Sequence, residues 1–430
     1  MRKERGIALL PIGVFLVLYL GLGILFEYVM KIPMGFYNVP IVVAFLAAIL
    51  VACLQNRELN FDKKLEIMAQ GVGDKNIITM LLIFLTAGSF VGVVGRSSAE
   101  SVAYCMSLIP ARFSVAVLFV VACFVSVAMG TSVGTITLLV PIASAVSTAS
   151  GFNLAFCVAS VMGGAMFGDN LSFISDTTIA ATRTQGCDMR DKFRENFAIA
   201  CPAAVITVII LFFRGGGGGQ VENLSYNIWQ ALPYFAVLAL ALLGLNVLLV
   251  LGCGILLFTL VGFLTVPGFT VSLVFSSMGQ GASGMYETII VAVLVSALGA
   301  LMKAYGGFDY ILYIIRKYFR GRNGGQLGIA VLSSAMDIAT ANNTVAIVMA
   351  APIAREISQE YDISPKKTAS LMDIFCCIWQ GIIPYGAQML IALGLVAEYE
   401  ISAFDIIPNI QYVFLLLICA LFSIFVKEKK

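Results

Sequence analysis

Apolar stretches, each near the twenty or so residues needed to cross a bilayer, alternate along the chain with short polar or charged ones. The first spans fall at about 7–29, 36–54 and 77–95. After Arg112 the pattern changes. The run Phe113–Thr148 is interrupted near its middle by Gly130-Thr131-Ser132-Val133-Gly134-Thr135, which predicts a hairpin tip or an unwound helix. The next span starts after Asn153, a candidate N-cap, and meets a second polar break at Gly168–Asp176 before the charged segment Arg183–Glu195. Another covers Phe197–Phe213, and the five consecutive glycines Gly215–Gly219 predict a flexible connector. Spans resume at 232–265, long enough for two helices with a tight turn at Gly244–Asn246, and at 287–306. A basic segment then holds Arg316, Lys317, Arg320 and Arg322. A second interrupted run, Leu327–Ala354, a second interrupted helix after Ser364 and a last span at about 407–426 complete the chain.

The second half repeats the first. A shift of 211 residues lays Pro141-Ile142-Ala143 on Pro352-Ile353-Ala354, Gly88 and Gly95 on Gly299 and Gly306, and Asn153 on Ser364. The same shift lays Thr131-Ser132-Val133 on Asn342-Asn343-Thr344, and the break 169–175 on 380–386, which contains Pro384. Matched polar breaks in two halves point to a transporter's midplane binding site. Short cytoplasmic loops carry an excess of Lys and Arg, and here the bias changes sign between halves. Loop 55–76 has Arg57, Lys63, Lys64 and Lys75, while 266–287 has no basic residue. Segment 183–194 has Arg183, Arg190, Lys192 and Arg194, and 394–405 again has none. In the other direction 307–322 carries four basic residues, and 96–111 only Arg96.

The expected fold is therefore an all-α polytopic membrane protein of two inverted-topology repeats. Each repeat has a re-entrant or interrupted hairpin and a broken transmembrane helix, giving about ten spanning helices and two cytoplasmic termini. The first repeat is expected over 1–213, a Gly-rich external linker over 214–231, and the second repeat over 232–430.

Composition agrees. The 430 residues are 60% hydrophobic and 12% charged, with mean hydropathy +0.98, far beyond a soluble domain. A net charge of +2 without a long basic run gives no nucleic-acid surface. Met1-Arg2-Lys3-Glu4-Arg5 and the apolar run to Tyr28 read as a first transmembrane helix, because the run is too long for a signal peptide and no cleavage site follows. The ten cysteines sit mostly in apolar runs and pack as small hydrophobes; Cys376-Cys377 has no second pair nearby. With no histidine in the chain, a proton carrier is expected to be an Asp or Glu with a raised pKa.

The stretch Phe167–Thr178 concentrates chemistry: two carboxylates, four hydroxyls and an amide in an apolar chain. Ionisable groups at membrane depth are functional candidates unless they cap a helix in a loop. Sodium prefers hard oxygen ligands, and Asp169, Ser172, Ser175, Asp176, Thr177 and Thr178 supply them, with Thr131, Ser132 and Thr135 facing from the hairpin tip. Carbonyls freed by the unwound helix add further oxygens. Na+ is expected at Asp169, Asp176 and Ser175. In a continuous helix the two aspartates would be roughly 10 Å apart, and the break lets them approach. Two carboxylates in one buried site cannot both ionise cheaply, so a cation would displace a proton. In the second half Gln380 replaces Asp169, Gly386 replaces Ser175 and Ala387 replaces Asp176. There Asn342, Asn343, Thr344, Gln380 and Tyr385 are candidates for a cation or substrate carboxylate, or for plain interhelical hydrogen bonding. Asp337 and Asp373 are second-rank candidates, with Asp373 either buried or at the cytoplasmic interface. Lys303 reads as snorkelling and Glu27 as interfacial.

At Gly168-Asp169 and Ser175-Asp176-Thr177-Thr178, with Gly130-Thr131-Ser132 upstream and Gly186-Cys187-Asp188 downstream, the chain resembles the NhaC-type Na+/H+ antiporter family of the ion-transporter superfamily. Relatives commonly carry a Ser-Pro pair after the Gly-Asp; here Ser172 is followed by Phe173. The resemblance implies exchange of Na+ for H+ across a bacterial-type cytoplasmic membrane, or Na+ or H+ coupled carriage of a small organic acid or amino acid. It implies no cofactor beyond the transported ions. The bilayer is the expected partner, and a homodimer is left open. An intramembrane aspartyl hydrolase would need its two aspartates on facing helices. Here both lie in one break, so no enzyme is expected. No nucleotide-binding loop is present to drive transport with ATP.

Overall fold

A computed structural model describes residues 6–31, 39–107, 111–173, 175–214, 228–243 and 245–426. The described residues form helices and connecting turns, without a strand. The protein is an all-helical, polytopic membrane protein. The first span joins α1 (Leu10–Leu16) and α2 (Leu22–Ile24) through a π-helical turn. It is followed by α3 (Ile41–Gln55) and by α4 (Phe61–Val72), whose first turn is capped by Asn60. A 63° bend separates α4 from the long α5 (Lys75–Ser107), which runs past the expected end near 95 and includes Arg96.

Next come a hairpin, a broken helix and a closing helix. The hairpin is α6 (Ala111–Met129) and α7 (Ser132–Ser150). Gly130 turns the chain at its tip with φ of +69°, the left-handed region open to glycine, and the Thr131 side chain accepts from Gly134 N. The broken helix is α8 (Leu154–Leu171), capped by Asn153 as expected, then a break at which Ser172 and Ser175 are extended, then α9 (Asp176–Gln185). The closing helix is α10 (Met189–Arg214).

The second half holds α11 (Ile228–Leu242), α12 (Val247–Thr265), α13 (Val271–Gly284), α14 (Tyr286–Ala304) and α15 (Gly307–Tyr318). A second hairpin, α16 (Gly321–Thr340) and α17 (Asn343–Glu360), turns at Ala341 and Asn342. A second broken helix follows as α18 (Pro365–Ile382) and α19 (Ala387–Leu395), capped by Ser364. The chain ends with the short α20 (Ala403–Ile406) and α21 (Gln411–Phe425). The helix starts Ser132 and Asn343, Leu154 and Pro365, and Asp176 and Ala387 are each separated by the 211 residues of the sequence repeat. Most of the expected linker 214–231, and Gly244 of the expected turn, lie outside the described residues.

Among the described residues six helices are long and apolar enough to cross a bilayer, or eight if each of two bent pairs counts as one span. The helices of the first hairpin are apolar but shorter. The broken helices are the interior of the protein. Their apolar windows are 89% and 83% buried, against 39% for α10 and 33% for α12, whose outer faces are left for lipid. The halves interlock: α4 packs on α14, α13 on α5, α9 on α17 and α19 on α7.

The contact that seats the first hairpin on the first broken helix is backbone-close. Ser160 Oγ donates to Val115 O at 3.0 Å, Ser126 Oγ to Ala165 O at 2.7 Å, and Ser172 Oγ to Val127 O at 2.8 Å. Small residues permit that approach in membranes. A Cβ on Gly168 would lie 2.2 Å from Ser126 Cβ, which leaves room for hydrogen only. Gly168→Val should therefore destabilise the fold by about 1–3 kcal/mol through overpacking. Gly252→Ala, where a Cβ meets nothing within 4 Å, should not. Thermal unfolding of the two variants in detergent checks the contrast.

Candidate ion-binding site

Asp169 sits in the last turn of α8, with 4% of its surface exposed. Its Oδ1 accepts from Ser175 Oγ at 2.5 Å, and its Oδ2 accepts from Ser132 Oγ at 2.9 Å and from Asn343 Nδ2 at 3.3 Å. Thr177 Oγ1 lies 2.9 Å from Ser175 Oγ, whose hydrogen is committed to the carboxylate, so the threonine donates. Gln388 Nε2 donates to Ser132 Oγ at 3.0 Å, and Gln380 Nε2 donates to Gln388 Oε1 at 2.6 Å.

These partners come from four helix starts. Ser132 opens α7, Asn343 opens α17, Gln388 lies in the first turn of α19, and Ser175 precedes α9. Helix N-termini carry partial positive charge and unpaired N–H groups, so the interior around Asp169 complements a negative group without a basic side chain in contact. The oxygens gathered here are one carboxylate and three hydroxyls, all hard ligands that suit an alkali cation.

A second buried cluster lies behind the break. Lys192 Nζ of α10 is 2.6 Å from Asp373 Oδ2 of α18, and both side chains are 1% exposed. Lys192 Nζ also donates to Thr178 Oγ1 at 2.7 Å and to Asn170 O at 3.0 Å. Asn196 Nδ2 reaches the same carbonyl at 2.9 Å and Asp373 Oδ2 at 2.8 Å. The carbonyl of Asn170, freed where α8 ends, is thus capped by α10. The expectation of an open carbonyl ligand for a cation does not hold at that residue.

Several expected ligands are placed elsewhere, each for a local reason. Asp176 is exposed in the first turn of α9, where it complements the helix dipole, so the expected enclosed pair with Asp169 does not form. Ser172 bonds Val127 O, Thr135 bonds Thr131 O at 2.9 Å, Thr131 caps α7, and Thr178 accepts from Lys192. Asn342 caps α17 by accepting from Val345 N at 3.0 Å, and half-buried Thr344 donates its N–H to Asn343 Oδ1 at 3.0 Å. Tyr385 Oη donates to Ile338 O at 2.8 Å, and Gln380 Nε2 also reaches Ala341 O at 3.1 Å. Asp373 is deep in the interior, not at an interface. Asp337 is fully buried with neither carboxylate oxygen hydrogen-bonded.

Lys192 and Asn196 were not legible as site residues. Lys192 reads as a cytoplasmic charge, yet it is buried, and so is Lys64, which donates to Cys53 O at 2.6 Å. The available signal was helical spacing: Lys192, Asn196, Ile199 and Ala203 fall on one face of α10, and all are buried.

The two hairpin tips differ in surroundings. α5 packs directly on α7. At the second tip a cavity of about 560 Å³ separates α4 and α14 from the hairpin, with Lys63, Gln70, Asp74, Lys303, Thr340 and Asn342 on its wall.

A family model described as Na+/H+ antiporter family matches residues 9–215 and 221–426. The Bacillus subtilis Malate-2H(+)/Na(+)-lactate antiporter is 21% identical over 436 residues, covering 93% of this chain and 90% of that protein. The B. subtilis Na(+)/H(+) antiporter NhaC is 23% identical over 396 residues, covering 82% and 84%. Among solved structures, the Alcanivorax borkumensis YdaH transporter is similar over 85% of this chain and 89% of that one, at 15% identity and a TM-score of 0.45.

Removing one partner of a buried ion pair strands the other, at a cost of about 3–5 kcal/mol. Lys192→Met should lower thermal stability by that order, and adding Asp373→Leu should restore much of it. Unfolding curves of the single and double variants decide this; equal instability in both would contradict it.

Proposed function

The chain belongs to the Na+/H+ antiporter family, and we propose that this protein exchanges Na+ for H+ across a cytoplasmic membrane. It is an integral membrane secondary transporter. The observation that carries the finer reading is Asp169: a buried carboxylate whose partners Ser132, Ser175 and Asn343 come from both halves of the chain. Na+ would bind the carboxylate together with the hydroxyls of Ser132, Ser175 and Thr177. A proton would occupy the same carboxylate in its place. One group that holds either ion but not both couples their movements in opposite directions.

The repeats supply the rest of the cycle. Two inverted repeats, 1–213 and 232–430, with both termini cytoplasmic, would present the Asp169 site alternately to the two sides as one unit moves against the other. Lys192, Asp373 and Asn196 act as positioning residues, because they fix the end of α8 that carries Asp169.

A second reading is favoured by the cavity at the second hairpin tip. Lys303 on its wall suits a small organic anion, which Asn342 would meet at the tip. In that case Na+ or H+ at Asp169 would drive a carboxylate or amino acid instead of exchanging alone. The similarity to a malate and lactate antiporter is compatible with it.

The two readings separate in proteoliposomes. With a pH gradient imposed and no organic solute present, added Na+ should collapse the gradient. Asp169→Asn should reduce the rate at least about a hundredfold, since it removes the only charge in the site. Asp176→Asn, at an exposed position, should retain most of it. If Na+ alone moves no protons in the wild type, simple exchange is wrong, and organic acids and amino acids become the substrates to test.

A further inference from the structure

Gln388 lies in the first turn of α19, buried and bonded at both ends of its amide, yet it stands outside the oxygens offered to the cation. Which end faces which partner is settled by a backbone carbonyl. Ala341 O, at the second hairpin tip, can only accept, so the atom of Gln380 that meets it at 3.1 Å is the donor Nε2. The same Nε2 lies 2.6 Å from Gln388, which answers with its acceptor Oε1. Gln388 therefore presents Nε2 to Ser132 Oγ, at 3.0 Å. Ser132 in turn gives its hydrogen to Asp169 Oδ2 at 2.9 Å. From carbonyl to carboxylate, every bond of this chain has one direction.

The repeat gives the chain a counterpart in the first half. The shift of 211 residues lays Gln380 on Asp169, Gly386 on Ser175 and Gln388 on Thr177. Thr177 donates to Ser175 Oγ at 2.9 Å, and Ser175 donates to Asp169 Oδ1. Each serine thus gives its hydrogen to one carboxylate oxygen and accepts one hydrogen from behind, from Thr177 in the first half or from Gln388 in the second. A hydroxyl has one hydrogen and two lone pairs, so each serine keeps one lone pair for a cation. Gln380 is longer than the aspartate it replaces, and a Cβ on Gly386 would lie 3.0 Å from its Nε2; glycine leaves that space.

Among the described residues the side-chain partners of Ser132 Oγ are Asp169 and Gln388. Held by Asp169 alone, the side chain could swing to another rotamer or turn its hydrogen toward an entering cation. Held from both sides, it meets the cost of ordering on folding rather than on binding. A ligand from the first hairpin is in this way set by the second broken helix.

We propose that Gln388, oriented by Gln380, is a positioning residue for the cation: it acts through Ser132 and touches no ion itself. This rests on the reading of Asp169 as the Na+ site and adds a residue that sets its affinity. The bond supports the bound ion rather than the transport step, so it bears on Na+ affinity and not on maximal rate.

Na+ titration of the purified protein and Na+-dependent proton release in proteoliposomes read the two quantities. Gln388→Met keeps the length of the side chain and removes the N–H. It should weaken Na+ binding and raise the Na+ KM about fivefold, the worth of one neutral hydrogen bond, with the maximal rate within about twofold of wild type. Ser132→Ala removes the oxygen itself and should weaken binding at least as much. In the Ser132→Ala background, Gln388→Met should then change the affinity by less than about twofold, because its route to the ion is gone. Gln388→Leu loses the same N–H with a different shape and carries the same expectations if the first variant does not fold. An affinity unchanged by the loss of Gln388 overturns the proposal, and so does weakening by the same factor in both backgrounds, the mark of a packing role. If wild type binds no Na+, or Asp169→Asn still binds it, the Na+ reading of Asp169 falls and this inference with it. If Asp169→Asn abolishes binding while Gln388→Met leaves it intact, this inference falls alone.

Discussion

A carboxylate inside a membrane protein has to be met by partners or by an ion, and the architecture around Asp169 follows from that constraint. Burial costs a charged group its hydration. The protein answers with two hairpin tips and two broken helices, whose starts bring Ser132, Ser175, Asn343 and Gln388 to one place. No single helix could do this, because side chains one turn apart on a helix share a face but cannot surround a point. Breaking α8 and α18 and turning two hairpins creates helix ends in the interior, and helix ends carry unpaired donors.

Interior helix ends also create orphans, and the Lys192 cluster deals with one of them. The carbonyl of Asn170 would be stranded at the end of α8; Lys192 and Asn196 bond it, and Asp373 neutralises the lysine. Such a pair contributes little net stability compared with an apolar replacement, but it joins α10, α18 and the break in one geometry. The halves have thereby diverged in chemistry while keeping their outline. The first supplies Asp169, Ser175 and the lysine; the second supplies Asn343, Gln388, Asp373 and the unpaired acid Asp337.

Much of the architecture was legible because it rests on local signals. Asn153 and Ser364 cap the helices their positions implied, Gly130 turns the first tip, and the polar breaks at 172–175 and 383–386 recur at the offset of the repeat. What was not legible depends on contacts between distant residues. Asp373 and Lys192 meet across 181 positions of sequence, and nothing local separates that lysine from the loop charges beside it. The direction in which Asp176 points depends on how the chain leaves the break, so two aspartates seven residues apart read as a pair, yet one is buried and the other exposed. For Asp337, the apolar context was visible, but its lack of any partner is a property of the packed interior.

The central claim is that one buried carboxylate holds Na+ or a proton but never both. Na+ binding to the purified protein, measured by isothermal titration over a series of pH values, addresses it without any need for transport. Over the range in which Asp169 is protonated, the apparent Na+ dissociation constant should rise about tenfold for each unit of falling pH. Asp169→Asn should abolish binding at every pH. A Na+ affinity independent of pH, or binding that survives Asp169→Asn, would contradict the account.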